Sequence, residues 1–229
     1  MRGARWLFFD LGNTLISEEV AVDCRIRLMI ASFERYGGRV SVEDVRSALR
    51  EAWAQFAPRP IKRAIEMLTD DLKLRQLVEA EDRYPKELEE PYQGAERVLR
   101  ALSQRYRIGV IANQSGGTEA RLTRWGLMPF ISICLSSTET GLEKPDPAIF
   151  RLALAQARSG PSYAVMIGDR LDNDIRPARL LGWKTIRILQ GFAQFQFPRD
   201  RFDEADATIA ELAELLPLFP DHRDQDNGP

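Results

Sequence analysis

From Gly94 to Leu189 helical and strand patterns alternate without interruption, and that alternation leaves very few architectures open. Helices are expected over 95–103, 119–125, 147–157 and 174–181, with apolar strands over 107–112, 131–135, 163–167 and 185–189. Short, continuously apolar strands separated by helices are buried on both faces, which predicts a parallel sheet with helices on either side. Residues 207–209 read as a last short strand and 210–216 as a last helix. The chain opens on another such strand, Trp6–Phe9, which ends at Asp10. Between Leu15 and Pro91 the pattern is helical with no convincing strand. Ser41 heads a capping box for a helix running toward Phe56, Pro58 and Pro60 break that run, and helices follow over 61–68 and 72–84. The expected organisation is an α/β domain made of residues 1–16 and 92–220, a helical insert over 17–91, and a disordered tail over 221–229.

In open α/β sheets, ligands bind beyond the carboxyl ends of the strands. Asp10 and Asp169 each stand at such an end, and Asp174 opens the helix that follows Asp169. Singly they have ordinary readings: a strand-terminating turn residue for Asp10, a helix-start acid for Asp174, a solvated turn residue for Asp172. If the two strands are neighbours, the carboxylates at 10, 169 and 174 converge and need a counter-ion, and a set of oxygen donors suits Mg²⁺. Lys144 lies in the proline-constrained segment Gly-Leu-Glu-Lys-Pro-Asp-Pro, 141–147. A loop lysine is ordinarily solvated, but on this edge of the sheet an ammonium can hold an anion and a carboxylate together.

Composition narrows the chemistry. The single histidine, His222, is in the polar tail, so Ser-His-Asp and Cys-His mechanisms are not expected. A formal net charge of −2 argues against nucleic-acid binding, and no apolar run approaches a membrane span. Cys24 and Cys134 form no CxxC pattern and read as reduced thiols, which suits the cytoplasm.

The order Asp10, Asn113, Lys144, Asp169, Asp174, with the segments 141–147 and Gly-Asp-Arg-Leu-Asp-Asn-Asp-Ile at 168–175, resembles the haloacid dehalogenase-like hydrolase superfamily over about residues 5–216. The resemblance implies a Rossmann-like three-layer core and makes the helical insert a cap. It implies that Asp10 is a nucleophile forming an aspartyl-phosphate, that Mg²⁺ is held by Asp10, the Gly12 carbonyl, Asp169 and Asp174, and that Lys144 orients Asp10 and the phosphate. Asn113, Ser115 and Lys144 would contact a small phosphorylated substrate; nothing indicates an oligomeric state. Two positions depart from the family pattern. Gly12 stands where an Asp usually protonates the leaving group, and Ala112 stands where Ser or Thr usually binds the phosphate. Ser115, Gly116, Gly117 and Thr118 are candidates to compensate the second. Glu18 and Glu19 are candidates for the first, against a reading as a solvated helix start.

The expected function is a phosphatase restricted to good leaving groups. A catalytically impaired binding module and a 2-haloacid dehalogenase are the alternatives, the latter leaving Asp169 and Asp174 without a purpose. Gly12→Asp is expected to raise activity on alkyl phosphates. Arg35, Arg63 and Trp53 in the insert read as solvated arginines and a core tryptophan, and the aromatic run 191–198 as a contact surface or a packed loop.

Overall fold

A computed structural model describes Met1 and residues 3–219; the tail expected over 221–229 lies outside the described residues. The strands are β1 Trp6–Phe9, β2 Ile16–Ser17, β3 Glu90–Pro91, β4 Arg107–Ala112, β5 Ile131–Ser136, β6 Ala164–Gly168, β7 Lys184–Ile188 and β8 Ala207–Ile209. The α-helices are α1 Glu19–Arg35, α2 Val42–Ala54, α3 Pro60–Leu68, α4 Leu72–Glu81, α5 Ala95–Ser103, α6 Thr118–Arg124, α7 Ser137–Thr140, α8 Pro147–Ala157, α9 Arg176–Leu180 and α10 Leu215–Leu218. Six strands form one parallel sheet in the order β5-β4-β1-β6-β7-β8. The chain builds outward from β1 through β4 to β5, then returns to the other side of β1 as β6. That reversal places a crevice at the carboxyl ends of β1 and β6.

β1 is apolar throughout because both of its faces are covered. Leu7 and Phe9 pack with Val98, Leu99 and Leu102 of α5. Trp6 and Phe8 face Phe150 of α8 and Trp183, with ring centroids of Phe8 and Trp183 5.0 Å apart. The helical insert has its own apolar centre around Ile26, Phe33, Leu49 and Ile65. Ser41 caps α2 as expected: the Asp44 amide donates to its Oγ at 3.1 Å, and the Ser41 amide donates back to Asp44 Oδ2 at 2.8 Å.

The structure corrects the sequence in three places. The insert is entered and left through a two-stranded antiparallel ribbon, Ile16 opposite Pro91 and Ser17 opposite Glu90. Two-residue strands are too short to leave an alternation in the sequence. The helix expected from Asp174 begins instead as a wide turn of π-helical pitch over Leu171–Ile175, ahead of α9. The helix expected over 210–216 is a 3₁₀ turn, Leu212–Glu214, leading into α10. Among the described residues no helix is long and apolar enough to cross a membrane.

Candidate active site

β1 and β6 are hydrogen-bonded neighbours with Phe9 opposite Ile167, and the Asp10 amide continues the ladder by donating to the Ile167 carbonyl at 2.8 Å. Asp10 and Asp169 therefore leave adjacent strands at the same level. The turn over Leu171–Ile175 swings Asp174 back toward them, and the Arg170 amide donates to Asp174 Oδ2 at 3.0 Å. The three carboxylates offer oxygens within 4.8 Å of one another. The Lys144 ammonium bridges two of them, donating to Asp10 Oδ1 at 2.7 Å and to Asp174 Oδ1 at 2.6 Å. Asp174 is wholly buried and Lys144 nearly so, at 0% and 3% exposure, so this lysine is not a solvated loop residue.

Local sequence explains why Lys144 arrives there. Asp146 caps α8, accepting from the Ala148 amide at 2.8 Å, and Pro147 occupies the first helical position. Asn113, at the end of β4, clamps the loop from the other side. Its Nδ2 donates to the Lys144 carbonyl and its Oδ1 accepts from the Lys144 amide, both at 2.7 Å. This engages the amide oxygen and one N–H of Asn113, the residue expected to contact substrate. Ser115 is exposed, and its hydroxyl is paired with the Lys86 ammonium rather than with the carboxylates.

The electrostatics are those of an incomplete ion site. Burial raises the carboxyl of Asp169 well above the usual range, and the charges of Asp10 and Asp174 raise it further. Burial likewise pushes Asp174 up to about 6, against the pull of Lys144. Burial disfavours the ammonium of Lys144, but Asp10 and Asp174 together outweigh it and hold the lysine above its ordinary value. Asp169 Oδ1 is buried and accepts no hydrogen bond among the described residues. An orphaned carboxylate oxygen beside two further carboxylates fits a hard divalent cation with oxygen ligands, and Mg²⁺ meets that description.

Gly168 is part of this geometry. A Cβ there would fall 2.5 Å from both Cγ and Oδ2 of Asp174. Asp174 has no room to yield without giving up Lys144 or the Arg170 amide. Gly168→Ala is therefore expected to cost about 1–3 kcal/mol by overpacking and to weaken Mg²⁺ binding about tenfold or more. Urea midpoints and calorimetric Mg²⁺ titration check both.

A cleft of about 520 Å³ opens between the insert and the core, lined by Val22, Ile26, Trp53 and Phe192 among others and reaching the loop after Asp10 at Asn13 and Glu18. Trp53 is not a core residue: it lines the cleft, and the Arg170 guanidinium lies 4.7 Å over its ring. Asp172 is not a simple solvated turn residue either. It accepts from Arg170 and, at 3.0 Å, from Gln196, tying the turn over Leu171–Ile175 to the loop that follows β7. In the aromatic run, Phe192 and Phe195 line the cleft while Phe197 is exposed. Arg35 and Arg63 pair with Glu81 and Glu66 at the surface, as solvated arginines do.

Glu18 and Glu19 part company. Glu19 also borders the cleft, but it is exposed and belongs to the start of α1. Glu18 is partly buried, lines the cleft, and accepts from Asn13 Nδ2 at 2.8 Å. Burial, with Glu89 and Asp10 nearby, pushes its carboxyl up to about 7. A Cβ at Gly12 would fall 2.2 Å from Glu18 Oε1, so the space expected to receive Gly12→Asp is already filled. Asn13, which drew no attention in the sequence, has φ of 52°, and asparagine is a residue that tolerates this left-handed region.

The haloacid dehalogenase-like hydrolase sequence profile matches residues 4–182. A glyceraldehyde 3-phosphate phosphatase of Methanopyrus kandleri is 42% identical over 96 residues, covering 42% of this chain and 41% of the relative. The glyceraldehyde 3-phosphate phosphatase of Pyrococcus furiosus is 25% identical over 237 residues, covering 100% of this chain and 96% of the relative. This chain spans about two fifths of the length of several curated relatives that it matches. Among solved structures, the HAD-hydrolase YfnB of Bacillus subtilis bound to magnesium superposes with a TM-score of 0.70 at 20% identity, over 95% of this chain and 99% of its own, a likeness that bears on the fold.

Proposed function

Because this chain belongs to the haloacid dehalogenase-like hydrolases, we propose that it is a Mg²⁺-dependent phosphatase of small phosphate monoesters with Asp10 as nucleophile. The observation that carries this reading is the Lys144 bridge from Asp10 to Asp174 beside the unpartnered oxygen of Asp169. Asp10, Asp169 and Asp174 would hold the cation, which when bound neutralises phosphoryl oxygens and orients them for in-line attack. Asp10 sits at the end of a strand buried on both faces, so its carboxylate is held by a rigid element. Lys144 engages one of its oxygens and leaves the other to attack phosphorus. The same ammonium lies where it can offset charge on the transferring group. The cleft receives the organic part of the ester, and the insert above it keeps bulk water from the acyl-phosphate formed on Asp10. The phosphatases among the relatives support this reading. A 2-haloacid dehalogenase has no use for the carboxylate pair of Asp169 and Asp174, and a purely binding module has no use for a nucleophile so positioned.

The test is phosphate release from p-nitrophenyl phosphate at neutral pH, with Mg²⁺ and with a chelator, alongside halide release from 2-chloropropionate. Mg²⁺-dependent phosphate release and no halide release are expected. Absence of phosphate release from this ester and from a panel of metabolite phosphates, or release unaffected by the chelator, overturns the proposal.

A further inference from the structure

Gly12 removes the side chain that would protonate a leaving alkoxide, yet the space that side chain would fill is not vacant. An ideal Cβ on Gly12 lies 2.2 Å from Oε1 and 2.9 Å from Cδ of Glu18. The carboxyl of Glu18 thus stands where a side chain two residues after Asp10 would project, facing the cleft that Glu18 itself helps to line. We propose that Glu18 is the proton donor to the leaving group, delivered from the start of α1 in place of the carboxyl missing at position 12. This rests on the phosphatase reading above.

The alternative for a glutamate at this place is to cap its helix, and the structure argues against it. Glu18 is the N-cap residue of α1, but its side chain makes no capping hydrogen bond to the first turn. It turns away from the free N–H groups of α1 and toward Asn13. Asn13 Nδ2 holds Oε2 at 2.8 Å, which leaves Oε1 directed at Gly12. Two features of the backbone make this possible. The left-handed conformation of Asn13 turns the chain sharply after Gly12. The ribbon pairing Ile16 with Pro91 and Ser17 with Glu90 then folds the chain back, so that Glu18 returns over the loop it has just left. A β-carbon at position 12 and the present position of Glu18 exclude each other, so the glycine and the glutamate form one arrangement.

The chemistry balances without a further reactant. As Asp10 forms its bond to phosphorus, the bond from phosphorus to the ester oxygen breaks, and the Glu18 proton goes to that oxygen, releasing an alcohol. The Glu18 carboxylate then takes a proton from water as the water oxygen bonds to phosphorus and the Asp10–phosphorus bond breaks. Inorganic phosphate leaves, and both side chains return to their starting states. Asn13 is a positioning residue in this scheme: it touches Glu18 and holds the carboxyl in place.

Leaving-group dependence separates this role from a structural one, because a proton donor matters little when the leaving group is already a weak base. kcat/KM is measured at saturating Mg²⁺ with p-nitrophenyl phosphate and with glycerol 3-phosphate, for the parent and for Glu18→Gln. The glutamine preserves shape and can still accept from Asn13. Glu18→Gln is expected to lose about 10²- to 10⁴-fold on the glycerol ester and less than about tenfold on the aryl ester. Gly12→Asp alone is expected to lower activity on both esters by displacing Glu18. The double variant Gly12→Asp/Glu18→Ala is expected to restore most of the glycerol-ester activity lost in Glu18→Gln. Equal losses on the two esters in Glu18→Gln, or an unchanged rate on the glycerol ester, overturn the assignment. A parent chain inert toward both esters overturns the phosphatase reading itself, and the assignment falls with it.

Discussion

Asp10→Asn is expected to lower kcat/KM for p-nitrophenyl phosphate by at least about 10⁴-fold while leaving the fold intact. The substitution replaces a nucleophilic carboxylate oxygen by an amide and changes almost nothing in shape. The amide oxygen can still accept from Lys144, which donates to Asp10 Oδ1 at 2.7 Å in the parent. The backbone bond from the residue 10 amide to the Ile167 carbonyl is untouched. With all groups ionised, three carboxylates and one ammonium leave the pocket with an excess of two negative charges, the charge that a divalent cation balances. The asparagine reduces that excess to one. Like-charge repulsion in the metal-free protein is relieved, so the melting temperature without Mg²⁺ is expected to stay level or rise. Binding of Mg²⁺ is expected to weaken, and its stabilising effect on melting to shrink accordingly. Thermal melts with and without Mg²⁺, together with the rate, check the pattern. Loss of activity accompanied by loss of folding would show that Asp10 serves the sheet and not the chemistry.

The contrast between what could and could not be read from the sequence follows the range of the interactions. β1 and β4 fall where their apolar runs place them, because burial on both faces requires continuous apolar residues and leaves a local mark. Asp10 and Asp169 were identifiable for the same reason: each is the first polar residue after such a run. The segment around Lys144 was identifiable because Asp146 and Pro147 are helix-start residues in their ordinary order. Glu18 was not. Its placement depends on the pairing of Ile16–Ser17 with Glu90–Pro91, partners more than seventy residues away, in strands too short to show a period. Read locally, a glutamate before a helix is a helix-start acid, and the missing capping bond exists only in three dimensions. The clamp made by Asn113 and the exposure of Trp53 to the cleft were hidden in the same way. The amide of Asn113 is turned to a loop 31 residues on, and the ring of Trp53 lies under an arginine from a different part of the chain.

Lys144→Met is expected to be the most destabilising substitution in the site and to abolish turnover as well. Methionine is one heavy atom shorter than lysine but of similar volume and uncharged, so the effect is mainly one of charge. Without the ammonium, Asp174, which has no exposure to solvent, loses the partner that Lys144 provides at 2.6 Å, and Asp10 loses its bond at 2.7 Å. Removing one partner of a buried ion pair costs about 3–5 kcal/mol, because the remaining charge is left uncompensated. For a chain of this size that is a fall in melting temperature of roughly 6–20 °C. The deficit has a predictable dependence on pH. Burial already raises the folded-state value of Asp174 from 3.8 to about 6 in the parent, and losing the lysine raises it further. A carboxyl raised on folding stabilises the native state while protonated and loses that contribution as pH rises through its folded value. The gap between variant and parent, measured without metal, is therefore expected to be widest above the variant's raised Asp174 value and to narrow as pH falls from there toward about 6, the parent's value. Mg²⁺ at neutral pH should recover part of the lost stability by supplying positive charge to the same oxygens. It should not recover hydrolysis of p-nitrophenyl phosphate, because the ammonium that orients Asp10 toward phosphorus is gone. Melting curves of both proteins across this pH range, with and without Mg²⁺, decide whether Lys144 is the charge that holds the carboxylates together.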